Sequence, residues 1–283
     1  MNLIYLFLKL LSYLPLSVLY LIAKCLNLFC FYLFSYREKV VIENLQNSLL
    51  EKSQKEIRKL TKQFFSHFFS IIMEIVKMIT ADKSFFMKHV HYKNLELLHK
   101  FSKKNQSIII VLGHMNNWEW ALASISIVAK QKVLGVYKKI NNSFFSKIIL
   151  NSRSRFGATL VTMEDSMRKI IDSQDECKII GLIADQSPTL SVNNYWTTFL
   201  NQETPVFLGP EKIAKKMNYP VVFYDMKKIR NGHYEVELEI LESAPSITED
   251  GDITEKFIKR LEKQIVESPE NWLWTHRRWK HKR

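Results

Sequence analysis

Apolar and polar positions divide this chain into three stretches with different periods. Residues 3–36 are almost continuously Leu, Ile, Phe, Tyr and Val, broken by Lys9, Pro15 and Lys24. From about residue 39 to 100 apolar side chains recur at spacings of three and four (Phe64, Phe68, Ile71, Ile72, Ile75, Val76, Ile79), the signature of amphipathic helices. Beyond that, short apolar runs alternate with helical segments. Strands are predicted at 108–112, 133–137, 158–161, 178–184, 221–225 and 234–241, and helices at 118–129, 144–154, 166–173, 211–217 and 254–267. Asn231-Gly232 reads as the turn of a hairpin joining the last two strands. This alternation predicts an α/β fold with a central mixed, mostly parallel sheet flanked by helices and an antiparallel pair at one side.

The first stretch reads as a hydrophobic membrane-anchor helix. A spanning helix needs about 20 continuous apolar residues, and the runs between lysines here are shorter. Two forms therefore stay open: a tilted or kinked spanning helix, and an amphipathic anchor lying in the interface. Arg37 and Lys39 crowd its C-terminal flank, so a spanning helix would leave the rest of the protein in the cytoplasm. No basic n-region precedes the run and no small-residue cleavage site closes it, which argues against a cleaved signal peptide. The expected division is an anchor at 1–36 and one domain at 37–283.

Charge adds a preference without naming a partner. The 41 Lys and Arg against 28 Asp and Glu leave a net +13, suited to nucleic acid, an anionic membrane or an acidic protein. No nucleic-acid motif, phosphate-binding glycine loop or zinc-finger spacing accompanies it, so nucleic acid is not expected. Cys25, Cys30 and Cys177 form neither a disulfide framework nor a metal cluster, and a reducing compartment is the simplest expectation.

The sharpest chemistry lies at 107–121. An apolar run ends at Gly113, His114 follows at once, and Glu119 comes five residues later. A histidine at the end of a buried strand with a carboxylate in reach can act as an oriented general base. Residues five apart on one helix are about 140° apart, so the two meet only if His114 sits in the loop and Glu119 in the first helical turn. Asn116 is the expected N-cap, which puts Glu119 at the third helical position. The same spacing permits a capping box in which Glu119 only bonds a backbone N–H. No plausible Ser or Cys nucleophile stands beside His114.

His-x-x-x-x-Glu after a strand resembles the signature of the glycerolipid-type acyltransferases. The string Gly113-His114-Met115-Asn116-Asn117-Trp118-Glu119 is similar to the branch that performs the late acylations of lipid A. The likeness runs over nearly the whole chain. It takes in Tyr36-Arg37-Glu38-Lys39 and Asn44-Leu45, the segment Ser152-Arg153-Ser154-Arg155-Phe156-Gly157, and the strand ending in Asp185-Gln186. It continues through the blocks at 195–200 and 204–209, and through Pro269-Glu270-Asn271-Trp272-Leu273-Trp274-Thr275-His276-Arg277-Arg278-Trp279.

The resemblance implies an O-acyltransferase on the cytoplasmic face of a bacterial inner membrane. It would move a fatty acyl group from acyl carrier protein to a hydroxyl of a lipid A precursor, with no metal or cofactor. His114 would be the base and Glu119 its orienting partner. Arg155, favoured over Arg153, would support the oxyanion or bind an anionic substrate group. Asp185 would orient the arginine or position the acceptor, and the blocks at 195–200 and 204–209 would line the substrate groove. Another lipid acceptor, an aminolipid or a lysophospholipid, and a non-catalytic membrane-tethered binding protein are the alternatives.

Overall fold

The computed structural model describes residues 3–33, 37–139, 142–189 and 195–282, with side chains left undescribed at 30–33. It opens with helices α1 (Leu3–Tyr13) and α2 (Leu16–Leu33), separated at Leu14-Pro15. Proline has no N–H to donate and disfavours helical geometry in the residue before it, which accounts for the break. Here the structure corrects the spanning form of the anchor. No helix among the described residues is long and apolar enough to cross a membrane. At 18 residues α2 is about 27 Å long, short of a hydrocarbon core of about 30 Å. It also buries Leu19 and Ala23 in the core of the protein. Residues 34–36, the end of the expected anchor, lie outside the described residues.

Two helices follow, α3 (Glu38–Ser48) and α4 (Gln54–Lys77). Ser53 and Glu56 start α4 with a reciprocal capping box. Next come α5 (Lys83–His89), β1 (Val90–Tyr92) and α6 (Glu96–Lys103). Strand β1 falls within the stretch read from periodicity as helical. Its three residues are too short to leave a period-two signature and form a strand only by pairing with a distant partner.

The α/β part runs β2 (Ile108–Leu112), α7 (Trp118–Val128), β3 (Lys132–Tyr137), α8 (Ser143–Ser154), β4 (Thr159–Thr162), α9 (Met163–Asp172) and β5 (Lys178–Ile183). A hairpin of β6 (Tyr195–Phe199) and β7 (Gln202–Val206) precedes α10 (Gly209–Met217), β8 (Val221–Arg230), β9 (His233–Glu242) and α11 (Asp252–Glu267). Gly232, at φ 66°, takes the left-handed position in the predicted turn between β8 and β9.

Seven strands form one sheet in the order β1-β9-β8-β2-β5-β3-β4. Only β8 and β9 pair antiparallel within it; all its other pairings are parallel. Strand β2 is buried along its whole length, and its side chains alternate between two cores. Ile109 and Val111 pack on the side of α4, α10 and α11, while Ile108, Ile110 and Leu112 pack on the side of α5, α6 and α7. Both faces of the central strands are therefore covered, as a parallel sheet requires.

Candidate active site

The apolar run of β2 delivers the chain to Gly113 in the middle of the sheet, where there is no room for a side chain. A Cβ on Gly113 would lie 2.6 Å from the Leu261 side chain and 3.2 Å from the Asp185 carboxylate. That close approach brings the backbone N–H of His114 onto Asp185 Oδ2 at 2.8 Å, while His114 Nδ1 donates to Oδ1 at 2.6 Å. Asp185 follows β5, the parallel neighbour of β2, so adjacent strand ends supply the two members of the pair. The Trp272 indole N–H donates to Oδ2 at 2.7 Å.

Burial would push the Asp185 carboxyl up, but the His114 charge, the two hydrogen bonds from His114 and that of Trp272 outweigh it and bring it down to about 2. With the imidazole neutral, the ionised Asp185 accepts the Nδ1 proton and the unprotonated Nε2 accepts from the Gln186 amide nitrogen at 3.3 Å. The imidazole is 17 % exposed and the carboxylate 1 %, so the ring is open to the cavity while its partner stays sealed.

The expected partner of His114 is thus corrected. Glu119 does not hold the imidazole; its two oxygens take Arg153 Nε at 2.8 Å and Nη2 at 2.6 Å in a bidentate pair. The reason is a one-residue displacement of the helix start. Asn116 adopts a left-handed φ of 52° and donates its amide to the Met226 carbonyl, while Asn117 caps α7 by accepting the Trp120 N–H. Glu119 is then the second helical residue rather than the third, turned toward α8, and the Asn116–Glu119 capping box does not form.

The structure sets the two arginines apart. Arg153 lines the same cavity as His114, whereas Arg155 Nη1 binds the Met78 and Ile79 carbonyls just past the end of α4. A charge two residues further along a helix points away from the first, and here that sends Arg155 to cap another helix. Burial would lower Arg153, but Glu119 more than offsets it and holds the guanidinium charged.

His114, Glu119 and Arg153 stand at the mouth of a cavity of about 360 Å³, with Trp118, Lys138 and Gln186 around them. Its interior is apolar and lies at the carboxyl ends of the strands, where ligands of parallel α/β sheets bind. The opening comes from a split in the sheet. Strands β3 and β5 pair from Lys132↔Lys178 to Gly135↔Gly181 and then part. Strand β3 stays on β4 as far as Tyr137↔Thr162, and β5 stays on β2 as far as Leu112↔Ile183. Val136, Tyr137, Leu182 and Ile183, beyond the split, all line the cavity. Of the blocks expected to line a groove, Phe207 and Gly209 do so. The 195–200 block instead forms β6 and the turn after it, with Phe199 packed on Trp272 and Trp279.

Two groups hold the His114 loop in ways the sequence reading did not assign. The segment 271–273 forms a short ladder with the His114 loop: Asn116 N–H donates to the Asn271 carbonyl at 2.9 Å, and Leu273 N–H to the His114 carbonyl at 3.2 Å. Asn44 and Arg37 hold the following turn through the carbonyls of Trp274, His276 and Thr275, which explains why an early and a late motif occur together. Tyr36 of that early motif is outside the described residues. The second group is Glu74, fully buried, which accepts from Tyr20, Tyr234 and the amide of Asn117. A lone Glu in the apolar run Ile71-Ile72-Met73-Glu74-Ile75-Val76 was its signal.

A mostly parallel sheet, flanked by helices, with a carboxylate-bound histidine and an apolar cavity at the carboxyl ends of its strands places the protein in the α/β class. Residues 1–281 match the bacterial lipid A biosynthesis acyltransferase family, and the chain belongs to it; the protein is an acyltransferase. It is similar to lipid A biosynthesis acyltransferase 2 of Shigella flexneri, 21 % identical over 238 residues, which cover 82 % of this chain and 74 % of that protein.

Proposed function

We propose that this enzyme transfers a fatty acyl group from an acyl carrier protein thioester to a hydroxyl of a lipid A precursor, using His114 as general base. The observation that carries the reading is the 2.6 Å His114–Asp185 pair at the mouth of the apolar cavity. The acceptor hydroxyl gives its proton to Nε2 as its oxygen attacks the thioester carbonyl. Asp185 stabilises the imidazolium that forms. The tetrahedral intermediate collapses, the C–S bond breaks, and the imidazolium returns the proton to the leaving thiolate. Arg153, held by Glu119, supplies positive charge at the mouth for the developing oxyanion or for an anionic group of the acceptor. Glu119 thus serves through Arg153, and Arg155 serves the scaffold.

The acyl chain occupies the cavity. The net +13 suits an acidic carrier protein and an anionic lipid surface. Leu3, Phe7, Leu10 and Tyr13 of α1 and Leu21 and Leu28 of α2 are exposed, a face fitted to lie in the interface of the cytoplasmic leaflet of the inner membrane.

Purified full-length protein, an acyl carrier protein thioester and a lipid A precursor in mixed micelles should give acylated lipid. Wild type without turnover, or His114→Ala with wild-type turnover, overturns the reading. Transfer to an aminolipid or lysophospholipid in place of the lipid A precursor would move the acceptor and leave the base.

A further inference from the structure

Ile110 of β2, Gly181 of β5 and Gly135 of β3 stand side by side in register across the centre of the sheet. Residues paired in parallel strands share a face, and a Cβ on Gly135 would meet Leu122 of α7 at 3.0 Å, so this row faces α7. The two glycines differ in what they make room for. Gly135 is enclosed by Leu122 and Leu160, and α7 packs onto it. A Cβ on Gly181 would find nothing nearer than the Leu134 carbonyl oxygen at 3.9 Å, in open space within the cavity.

The backbone of Gly181 does not need glycine, because its φ is outside the left-handed range. Glycine weakens a strand interior, and it occurs there where something else must approach closely. Gly181 lies between the mouth at Ile183 and a floor made by Ile125, Val133, Ile179 and Tyr224. The floor is closed by a buried hydroxyl cluster in which Tyr224 Oη lies 2.9 Å from Tyr92 Oη and 3.1 Å from Ser124 Oγ.

We infer that Gly181 sets the length of acyl chain the enzyme accepts: its missing side chain is the passage by which the distal part of the chain passes from the split between β3 and β5 to the floor under α7. The inference rests on the proposed transfer reaction and deepens it. A larger residue at 181 closes the passage without touching His114, Asp185 or Arg153, so it changes which donor is used and leaves the chemistry in place. Truncation at the floor acts in the opposite sense, because Ile125→Ala lengthens the space beyond Gly181.

The test is a competition among even-numbered acyl carrier protein thioesters from octanoyl to palmitoyl, using full-length wild type, Gly181→Leu, Gly181→Ala and Ile125→Ala, with the chain length of the acylated lipid read by mass spectrometry. Gly181→Leu should lower the ratio of kcat/KM for long over short donors by at least about tenfold, the scale at which one methylene is discriminated in a closed apolar pocket. Gly181→Ala should move it the same way by less and decides the matter if the leucine variant does not fold. Ile125→Ala should shift the preference toward longer donors. An unchanged profile in folded Gly181 variants, or an equal loss for every donor, overturns the inference while wild-type turnover and its dependence on His114 leave the parent reading standing. Wild type without turnover on any donor takes both down.

Discussion

Asp185 and Glu74 are both carboxylates sealed in the protein interior, and their neighbours drive them in opposite directions. Asp185 faces an imidazole that can carry charge, a backbone N–H and an indole N–H, and it is held down at about 2. Glu74 is bonded by Tyr20, Tyr234 and Asn117, all neutral donors, and desolvation wins: its carboxyl is raised despite those three hydrogen bonds and the charge of Lys228. Both act on the same loop. Asp185 grips the ring and backbone of His114, while Glu74 fixes the amide of Asn117 so that its carbonyl oxygen caps α7. Burial alone therefore does not mark a carboxylate as chemical. What separates these two is a directly bonded partner that can change its own charge, present at Asp185 and absent from the hydrogen bonds of Glu74.

That contrast is tested most severely by neutralising each carboxylate in place. His114→Ala should cost about 10²–10⁴ in kcat with the fold intact, and Asp185→Asn should come close to it, since the amide leaves Nδ1 without an anionic partner. Glu74→Gln should cost less than about tenfold, because the site holds a group that is already driven toward neutrality. Steady-state transfer kinetics on the three variants check this, and equal losses at residues 185 and 74 would erase the distinction.

Next in size is the pair of arginines. Arg153→Ala should lower kcat/KM by about 10²-fold, because it removes a preorganised charge at the cavity mouth. Arg155→Ala should leave turnover near wild type and cost about 1 kcal/mol of stability through the lost contacts to Met78 and Ile79. The reverse order would restore the role expected for Arg155 from sequence.

Trp272→Phe keeps the aromatic packing against Phe199, Trp274 and Trp279 and deletes only the donor to Asp185. We expect about a tenfold drop in kcat, the scale of one charge-assisted hydrogen bond. A change appears in acid too. The folded Asp185 lies below its unfolded value, so its contribution is present above about pH 4 and is lost as pH falls toward 2. A smaller depression in Trp272→Phe moves that loss to higher pH, which acid unfolding followed by circular dichroism will show.

A last prediction concerns stability alone, through His67, which burial, aided by Lys228, lowers to about 3. The unfolded chain takes up a proton near pH 6.5 that the folded chain refuses, so stability declines as pH falls from about 6.5 toward 3. His67→Phe should flatten the melting temperature over that window; a slope equal to that of wild type would exclude His67 as its source.

Much of this molecule is decided locally. The runs at 108–112 and 179–183 are apolar throughout, as suits strands covered on both faces, and Asn231-Gly232 suits a tight hairpin wherever the strands lie. The presence of His114, Glu119, Arg153 and Asp185 at one site was likewise legible, since each follows a strand or lies on a helix beside one. Which of them touch was not. Asp185 is 71 positions from His114 in the chain, and only the parallel pairing of β2 with β5 sets it on Nδ1. Glu119 lost that place because tertiary contacts of Asn116 with Met226 and Asn271 moved the helix start by one residue, about 100° of rotation. The split at Gly135–Gly181 was equally out of reach, because a glycine within a strand does not say whether packing or empty space lies above it. Patterns of period two and 3.6 specify elements from neighbours a few residues apart, whereas partners, charge states and cavities depend on strand order, which emerges only when the whole sheet closes its two cores.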